Sequence, residues 1–593
     1  VTTYDESLLS KKFRPNIIVY LKGEYFSVHQ PDSGLVIDSD KVGMVKSLVL
    51  NPVTIDPSRP STTISTISFS LLDKAGVVTN LFLNESNYLQ NEEVLVYLGR
   101  VGVSMAFSDY FLLPRCYISQ CSKNDGSWNF STQEKKDRIN RRVFSASTKL
   151  SGSILADTTE ITVQDVTKIR DSGLVKIENE FLSYTGRDLV NGRITGCVRG
   201  ERDTIAATHA LGKDVYQADE IQANPIEILI SLLVSTGGGG SYDTLIDGAA
   251  IDESLIDVTQ MEDVRDQLVS GIEFNLALSN IESLQQFIEN EILYPLGLRL
   301  RTNSNSKIGL AVLNRTYFDV DTKDFTHDNI TKNPSFSVVD SKIVNKVKVN
   351  WAWDDATADF LKVYEQEDAG SIASFGEQIL EISMKGPRES LGGLDIVTDV
   401  ADQFIKRFSV PRPEISLSMQ MDASTALIGD KVNFESALVV DIDTGLLGLE
   451  KDLELVSRAI NVQTGDVTTK LAFTWYSGVR QCFISPTDTI VSTASQARAA
   501  IATGRGALYR KTWVLKLWDN IAREFVSGET NTISSVVGDE IFFTNDWVAT
   551  LNTDRRFVFA DYDEVVEQQK KYCFISNDGN NFTDGKPAYK ITT

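Results

Sequence analysis

The chain of 593 residues is poor in the residue types from which most catalytic and metal sites are built. Its five cysteines (Cys116, Cys121, Cys197, Cys482, Cys573) are odd in number and include no C-x-x-C pair, which argues against a disulfide framework and against a zinc ribbon. Free, mostly buried thiols are expected. Three histidines (His29, His209, His327) cannot form a His-rich metal site without help from carboxylates. Long hydrophobic runs are missing too: the densest, Ile226 to Val234, carries Glu227 and is too short to span a bilayer. The first residues, Val1-Thr-Thr-Tyr-Asp-Glu6, lack the basic start and apolar core of a signal peptide, so a soluble protein made in the cytoplasm is expected. Positive charge is scarce: 58 Lys and Arg stand against 81 Asp and Glu, a net charge of -23 that repels duplex nucleic acid from any extended surface.

Catalytic signatures are equally thin. The nearest string to a G-x-S-x-G nucleophile elbow, Gly239-Gly-Ser241-Tyr-Asp243, lacks the last glycine and reads as a flexible linker. Gly579 to Gly585-Lys586 is one residue too long for a phosphate-cradling loop and runs into Pro587. Asp319-Val-Asp321-Thr-Lys323-Asp324 has the carboxylate density of a calcium loop, but Lys323 stands at the fifth position and the glycine is missing. The neighbouring acids Asp354 and Asp355 would need to face each other across a cleft to serve as a glycosidase pair, and adjacency supplies no such geometry. His209 has no ligand partner spaced nearby and reads as a hydrogen-bonded structural histidine. Arg115 and Lys123 could lower the thiol pKa of Cys116 or Cys121, but nothing marks a catalytic base. No catalytic, cofactor-binding or metal-ligating residue is expected, nor any cofactor, and the chain reads as a non-enzyme.

What is present is chain enough for roughly four domains at about 150 residues each, with the 42% apolar and 23% charged content of ordinary globular protein. Mainly β structure with some α (α+β) is expected. Five strand-like runs lie before residue 120, and within Ser65 to Leu72 the residues Ile67, Phe69 and Leu71 recur with period two, as a strand with one buried face requires. Residues 1–149 therefore read as an antiparallel barrel or sandwich, and 150–217 as a small inserted all-β module of short strands between Asp, Asn and Gly turns. Residues 218–300 read as a helical, acidic connecting region with 2 Lys/Arg against 15 Asp/Glu. There Asn224-Pro225 caps a first helix, and Ser279-x-x-Glu282 has the form of a capping box for a second. Strands resume from Leu298 and make 301–484 a second barrel with one helix, in which Ile396, Val400, Phe404 and Phe408 stack at spacings of four. The last part, 485–593, reads as a β-rich extension entered through a short helix or connector at Ala494 to Gly504.

Three stretches carry a resemblance. The module, with Gly173-Leu-Val-Lys-Ile-Glu-Asn-Glu180, Tyr184-Thr-Gly186, Gly196-Cys-Val-Arg-Gly200, Thr204, His209 and Gly212-Lys-Asp-Val215, resembles a small β module of bacteriophage tail proteins. Ile67-Ser-Phe-Ser-Leu-Leu-Asp73 and Glu93-Val-Leu-Val-Tyr-Leu-Gly99 resemble the first barrel of trimeric tail-tip (baseplate) hub proteins. Ile415-Ser-Leu-Ser-Met419, Leu427-Ile-Gly-Asp-Lys-Val432, Leu455-Val-Ser-Arg458 and Val467-Thr-Thr-Lys-Leu471 resemble their second. The resemblance implies two tube-type β-barrel hub domains per chain and a homotrimer forming a pseudo-sixfold ring. It implies as partners the distal tail and tail tube proteins, a central fibre or spike, the tape-measure protein in the lumen and DNA in transient passage. The location it implies is the virion tail tip, after assembly in the host cytoplasm. Three chains of -23 would give -69, which suits a conduit to which DNA must not stick. The alternative is a tail adhesin that binds host surface polysaccharide.

Overall fold

The computed structural model describes residues 15–58, 66–83, 89, 92–101, 105–113, 115–134, 139–236, 240–303, 307–313, 323–326, 329–339, 343–440, 447–462, 466–474, 492–495, 498–500, 514–519, 524–537, 540–545, 555–559, 572–573 and 589–590. They are mainly β with short helices, an α+β protein. They divide into two compact units, one built from residues up to 315 with 326–430 and 455–472, the other from 316–325, 431–454 and 473 onward. No helix among the described residues is long and apolar enough to cross a membrane.

The first unit opens with strands β1 (Pro15–Leu21), β2 (Glu24–Ser27), β3 (Val45–Leu50), β4 (Val53–Thr54) and β5 (Ile67–Leu72), helix α1 (Val77–Leu83), then β6 (Glu93–Arg100), β7 (Phe111–Leu112), β8 (Cys116–Asn124) and β9 (Ser127–Glu134). Antiparallel pairing gives the order β2-β1-β6-β8-β9-β5-β3, with β7 on β6. The two ends of the path meet at Ser27, whose carbonyl accepts from Gly43 N (2.8 Å) and Met44 N (3.2 Å) just before β3. Ile67, Phe69 and Leu71 are buried as their period requires, and the Phe69 ring stacks on Phe130 with centroids 4.8 Å apart. Gly99 has no alternative: a Cβ there would lie 2.1 Å from the Tyr110 ring.

The module follows with β10 (Ala146–Lys149), β11 (Ile161–Thr162), β12 (Gly173–Ile177), β13 (Glu180–Tyr184), β14 (Gly186–Asp188), β15 (Arg193–Thr195), β16 (Val198–Glu201) and β17 (Asp214–Ala223). Its sheet runs β10-β17-β12-β13-β16, with a second small sheet β11-β15-β14. Leu150, Ile161, Val175, Ile177, Leu182 and Val215 form its separate core. Strand β17 continues past the module, and Asp219 to Ala223 pair with β18 (Phe274–Leu278).

Helix α2 (Pro225–Val234) is capped by Asn224, whose side chain accepts from Ile226 N at 3.0 Å, with proline in the first turn. Its residues Ile226, Ile228, Leu229, Ile230, Leu232, Leu233 and Val234 are all buried, each stabilising the unit by roughly 1.5–3 kcal/mol. This explains why the densest apolar run of the chain is core. Helix α3 (Val258–Leu268) is capped by Asp257. The expected capping box at Ser279 to Glu282 is not formed: Ile281 is drawn into a two-way bridge with Val143 (2.9 and 3.0 Å), and the helix starts later, as α4 (Leu284–Ile288), on Ser283. A π-helical turn (Glu289–Leu293) continues it to the hairpin of β19 (Leu298–Thr302) and β20 (Ile308–Val312).

Strands β22 (Ile330–Val339), β23 (Lys346–Asp354) and β24 (Asp359–Glu367), helix α5 (Ala369–Phe375), strand β25 (Ile379–Ser383), helix α6 (Gly393–Phe408), β26 (Arg412–Met419) and β29 (Asp466–Ala472) complete the first unit, after β21 (Lys323–Phe325) of the second. β23 is the centre of a three-stranded sheet, antiparallel to β24 and parallel to β25. The stripe of Ile396, Val400, Phe404 and Phe408 on α6 is buried. β22, β26 and β29 form an antiparallel ladder that continues into β28 (Leu447–Asn461), whose Arg458 and Ser457 pair with Val53 and Thr54 of β4.

In the second unit β21 runs parallel to β27 (Lys431–Val440), which pairs with the first part of β28. A further sheet orders β30 (Ser492–Ser495), β31 (Arg498–Ala500), β32 (Val514–Asp519), β33 (Glu524–Val537), β34 (Glu540–Phe543) and β35 (Arg555–Phe559) as β30-β31-β34-β33-β32-β35. Where a short helix or connector was expected from Ala494, the described part forms paired strands, because alanine's helix propensity is a weak preference that the ladder with β34 outweighs.

Candidate functional site

The residues of the module motif converge on one buried charge cluster. Arg199 on β16 grips Glu180 on β13 with two nitrogens, at 2.6 and 2.7 Å, and also donates to the carbonyls of Leu155 and Ala207. Glu180 is 1% exposed and accepts further from Ala207 N (3.0 Å) and His209 Nε2 (2.8 Å). The other ring nitrogen of His209 meets Glu178 at 2.8 Å, and Lys213 closes the chain on Glu178. Burial alone would raise the Glu180 pKa, but Arg199, Ala207 N and His209 together hold it below the usual carboxylate range. Glu178 is lowered by His209 and Lys213. Thr204, also of the motif, accepts from Phe181 N and donates to the Glu201 carbonyl. The motif is thus a folding signature, and His209 is a structural histidine.

A second cluster joins the module to β23. Arg202 donates to Asp355 (2.8 Å), to Glu220 (2.6 Å) and to Asn275 (2.9 Å), while Arg388 reaches Asp355 at 3.5 Å and the Asn275 carbonyl at 3.2 Å. Trp353 Nε1 adds a third donor to Asp355. Asp354 is used differently: it accepts from Ala356 N, Thr357 N and Thr357 Oγ1 and fixes the turn between β23 and β24. The two acids therefore do not face each other. Cavities of about 290 and 680 Å³ lie against this cluster and share Trp353, Asp355 and Arg388.

The remaining sequence candidates are dispersed. Cys116 is buried and Cys121 half-buried, and the thiols of Cys121 and Cys197 are free. The thiol of Cys121 is raised by burial rather than lowered, because Arg115 is taken by Glu93 and Lys123 by Asp73. Burial pushes Cys197 up to about 11. His29 is exposed, and Ser241 lies on an exposed turn. Asp324 accepts from Asn433 Nδ2 within the second unit, whereas Asp319, Asp321, Gly239, His327, Cys482, the side chain of Cys573 and the Gly579 to Lys586 loop lie outside the described residues. In the acidic region, Asp219, Asp247, Asp252 and Asp257 accept from the backbone N–H groups of Ile246, Phe144, Ser254 and Gln260. Asp252 and Asp257 thereby cap helix starts, while Asp219 and Asp247 tie distant segments together.

The chain is similar in outline to several solved tail proteins, two of them from prophages. Prophage tail protein gp18 from Listeria monocytogenes matches over 77% of this chain and 94% of its own, at 10% identity and a TM-score of 0.35. A tail protein from Neisseria meningitidis matches over 78% and 97%, at 8% identity and a TM-score of 0.36. The 43 kDa tail protein of prophage MuSo2 from Shewanella oneidensis matches over 78% and 99%, at 7% identity and a TM-score of 0.33. No protein-family model matches the chain, and no curated protein does.

Proposed function

We propose that the chain is a structural, non-enzymatic component of a bacteriophage tail tip: a hub that assembles as a homotrimer and presents two barrel-type domains per chain, from 1–149 and 301–484, in a pseudo-sixfold ring. Such a ring joins the distal tail and tail tube proteins on one side to a central fibre or spike on the other, holds the tape-measure protein and then passes DNA. The order of the sequence motifs supports this reading, as does the net charge of -23.

The observation that carries it is the contrast between the edges of two sheets in the first unit. In the first sheet the end strands are brought together at Ser27, but the ladder of β26 and β29 ends in β22, a ten-residue strand with no described strand on its outer side. Residues Ser335 to Val338 of β22 are exposed in succession, Val338 by 54%. A long exposed edge with apolar side chains is a template for pairing, and a closed ring is the arrangement that covers it without open-ended growth. Negative-stain images of the purified chain test this. Threefold rings with a central channel support the hub, and single elongated particles at all concentrations overturn a self-assembling one. The adhesin reading is favoured by a separate observation, the polar cavities beside Asp355.

A further inference from the structure

Lys176 on β12 and Lys385, just after β25, line the same cavity of about 290 Å³. Each ammonium sits over an aromatic ring: Lys176 Nζ is 4.9 Å from the Phe181 centroid, and Lys385 Nζ is 4.4 Å from that of Trp353. Neither ammonium forms an ion pair or a hydrogen bond with any described residue. Both side chains are half-buried, an expensive place for a charge without a counter-ion. Burial lowers the pKa of Lys176; Asp355 offsets part of this and the charge of Lys385 adds to it.

The carboxylates around the cavity are committed elsewhere. Asp355 is shared by Arg202 and Arg388, two cations to one anion. Glu291 is 9% exposed, accepts from the Lys385 backbone N at 2.7 Å, and is pushed toward its neutral form by burial. Glu282 is exposed. Among the groups that line the smaller cavity, the Lys176 and Lys385 ammonium groups are left without a carboxylate partner, in a chain that is strongly acidic overall; the larger cavity is lined by Asp203, Glu220, Asp354 and Glu389 against Arg202 and Lys362. Amide side chains of Asn280, Gln286 and Asn290 complete the wall, and the adjoining cavity of about 680 Å³ brings the combined space to the size of a small-molecule site.

We propose that the smaller cavity binds the acidic end of a saccharide, its carboxylate or phosphate held by Lys176 and Lys385 and its hydroxyls by the amide wall. An anion supplies the hydrogen-bond acceptors that both ammonium groups lack, and a sugar's hydroxyls match the amides of Asn280, Gln286 and Asn290 in the same cavity better than a free ion does. The inference does not depend on trimer formation.

Isothermal titration of the full chain at low salt tests it, with tetragalacturonate, glucose 6-phosphate, neutral maltotetraose and inorganic phosphate as probes. At least one acidic sugar is expected to bind roughly tenfold or more tighter than maltotetraose and phosphate, a difference of about 1.4 kcal/mol or more. The carboxylate and phosphate arms tell which acidic group fits. The Lys176→Met/Lys385→Met variant should lose that affinity at least tenfold with an unchanged or raised melting midpoint, because it removes charges that the fold does not pair. If the double variant does not fold, Lys385→Gln reads the same loss alone. Absence of binding by both acidic sugars, equal binding by the variants, or phosphate binding as tightly as the sugars overturns the proposal.

Discussion

Arg199 meets a carboxylate that is 1% exposed, and this makes it the most consequential single side chain of the module. Truncating one partner of a buried pair leaves an uncompensated charge, so Arg199→Met should cost about 3–5 kcal/mol. Urea unfolding of the full chain, followed by hydrogen exchange at β12 and β13, should show those amides losing protection; protection equal to the native chain's would contradict the role. The same cluster sets a pH response. The pKa values of Glu178 and Glu180 are depressed in the folded chain below their ordinary value of 4.5, so their contribution is complete above that pH and is lost as pH falls through the depressed values. Module protection should hold from neutrality to about pH 4.5 and decline below it, less steeply in Glu178→Gln. A decline already complete by about pH 6 would contradict this assignment. A hydrogen-bonded His209 was legible in the sequence, but its partners were not: Glu180, Arg199 and His209 meet only when β13, β16 and the turn before β17 are brought together.

Among elements, β4 is short but consequential. Val53 and Thr54 pair with Arg458 and Ser457, and Ile55 N donates to the Val456 carbonyl at 2.9 Å, so a two-residue strand that lies between β3 and β5 in sequence joins the sheet of β28 and β29 instead of theirs. Ile55→Pro removes that donor and should raise exchange at β28 while leaving β1 and β6 protected; unchanged exchange at β28 would show that the strand adds no stability. Elements with local grammar were legible. Asn224-Pro225 announced α2, the period-two residues of β5 announced a buried face, and the spacing of four announced α6. β24 was not, because its apolar Leu361 and Val363 point to solvent while Gln366 on the opposite face bonds Asp402 of α6. The ion-paired cluster at the cavities was equally hidden, since Arg202, Asp355 and Arg388 come from distant parts of the chain, as do Lys176 and Lys385.

On the scale of the whole molecule, the central claim is that this chain closes into a ring of three. A net charge of -23 per chain opposes association, and the apolar and backbone surface of an edge such as β22 must outweigh that repulsion, more easily as salt screens it. The most direct test is the mass of the purified chain by light scattering across protein and salt concentration, with Val338→Lys alongside. A mass three times the 65.7 kDa of one chain, strengthened by salt and reduced by Val338→Lys, is the predicted result. A single-chain mass at every concentration and salt would contradict the self-assembling hub.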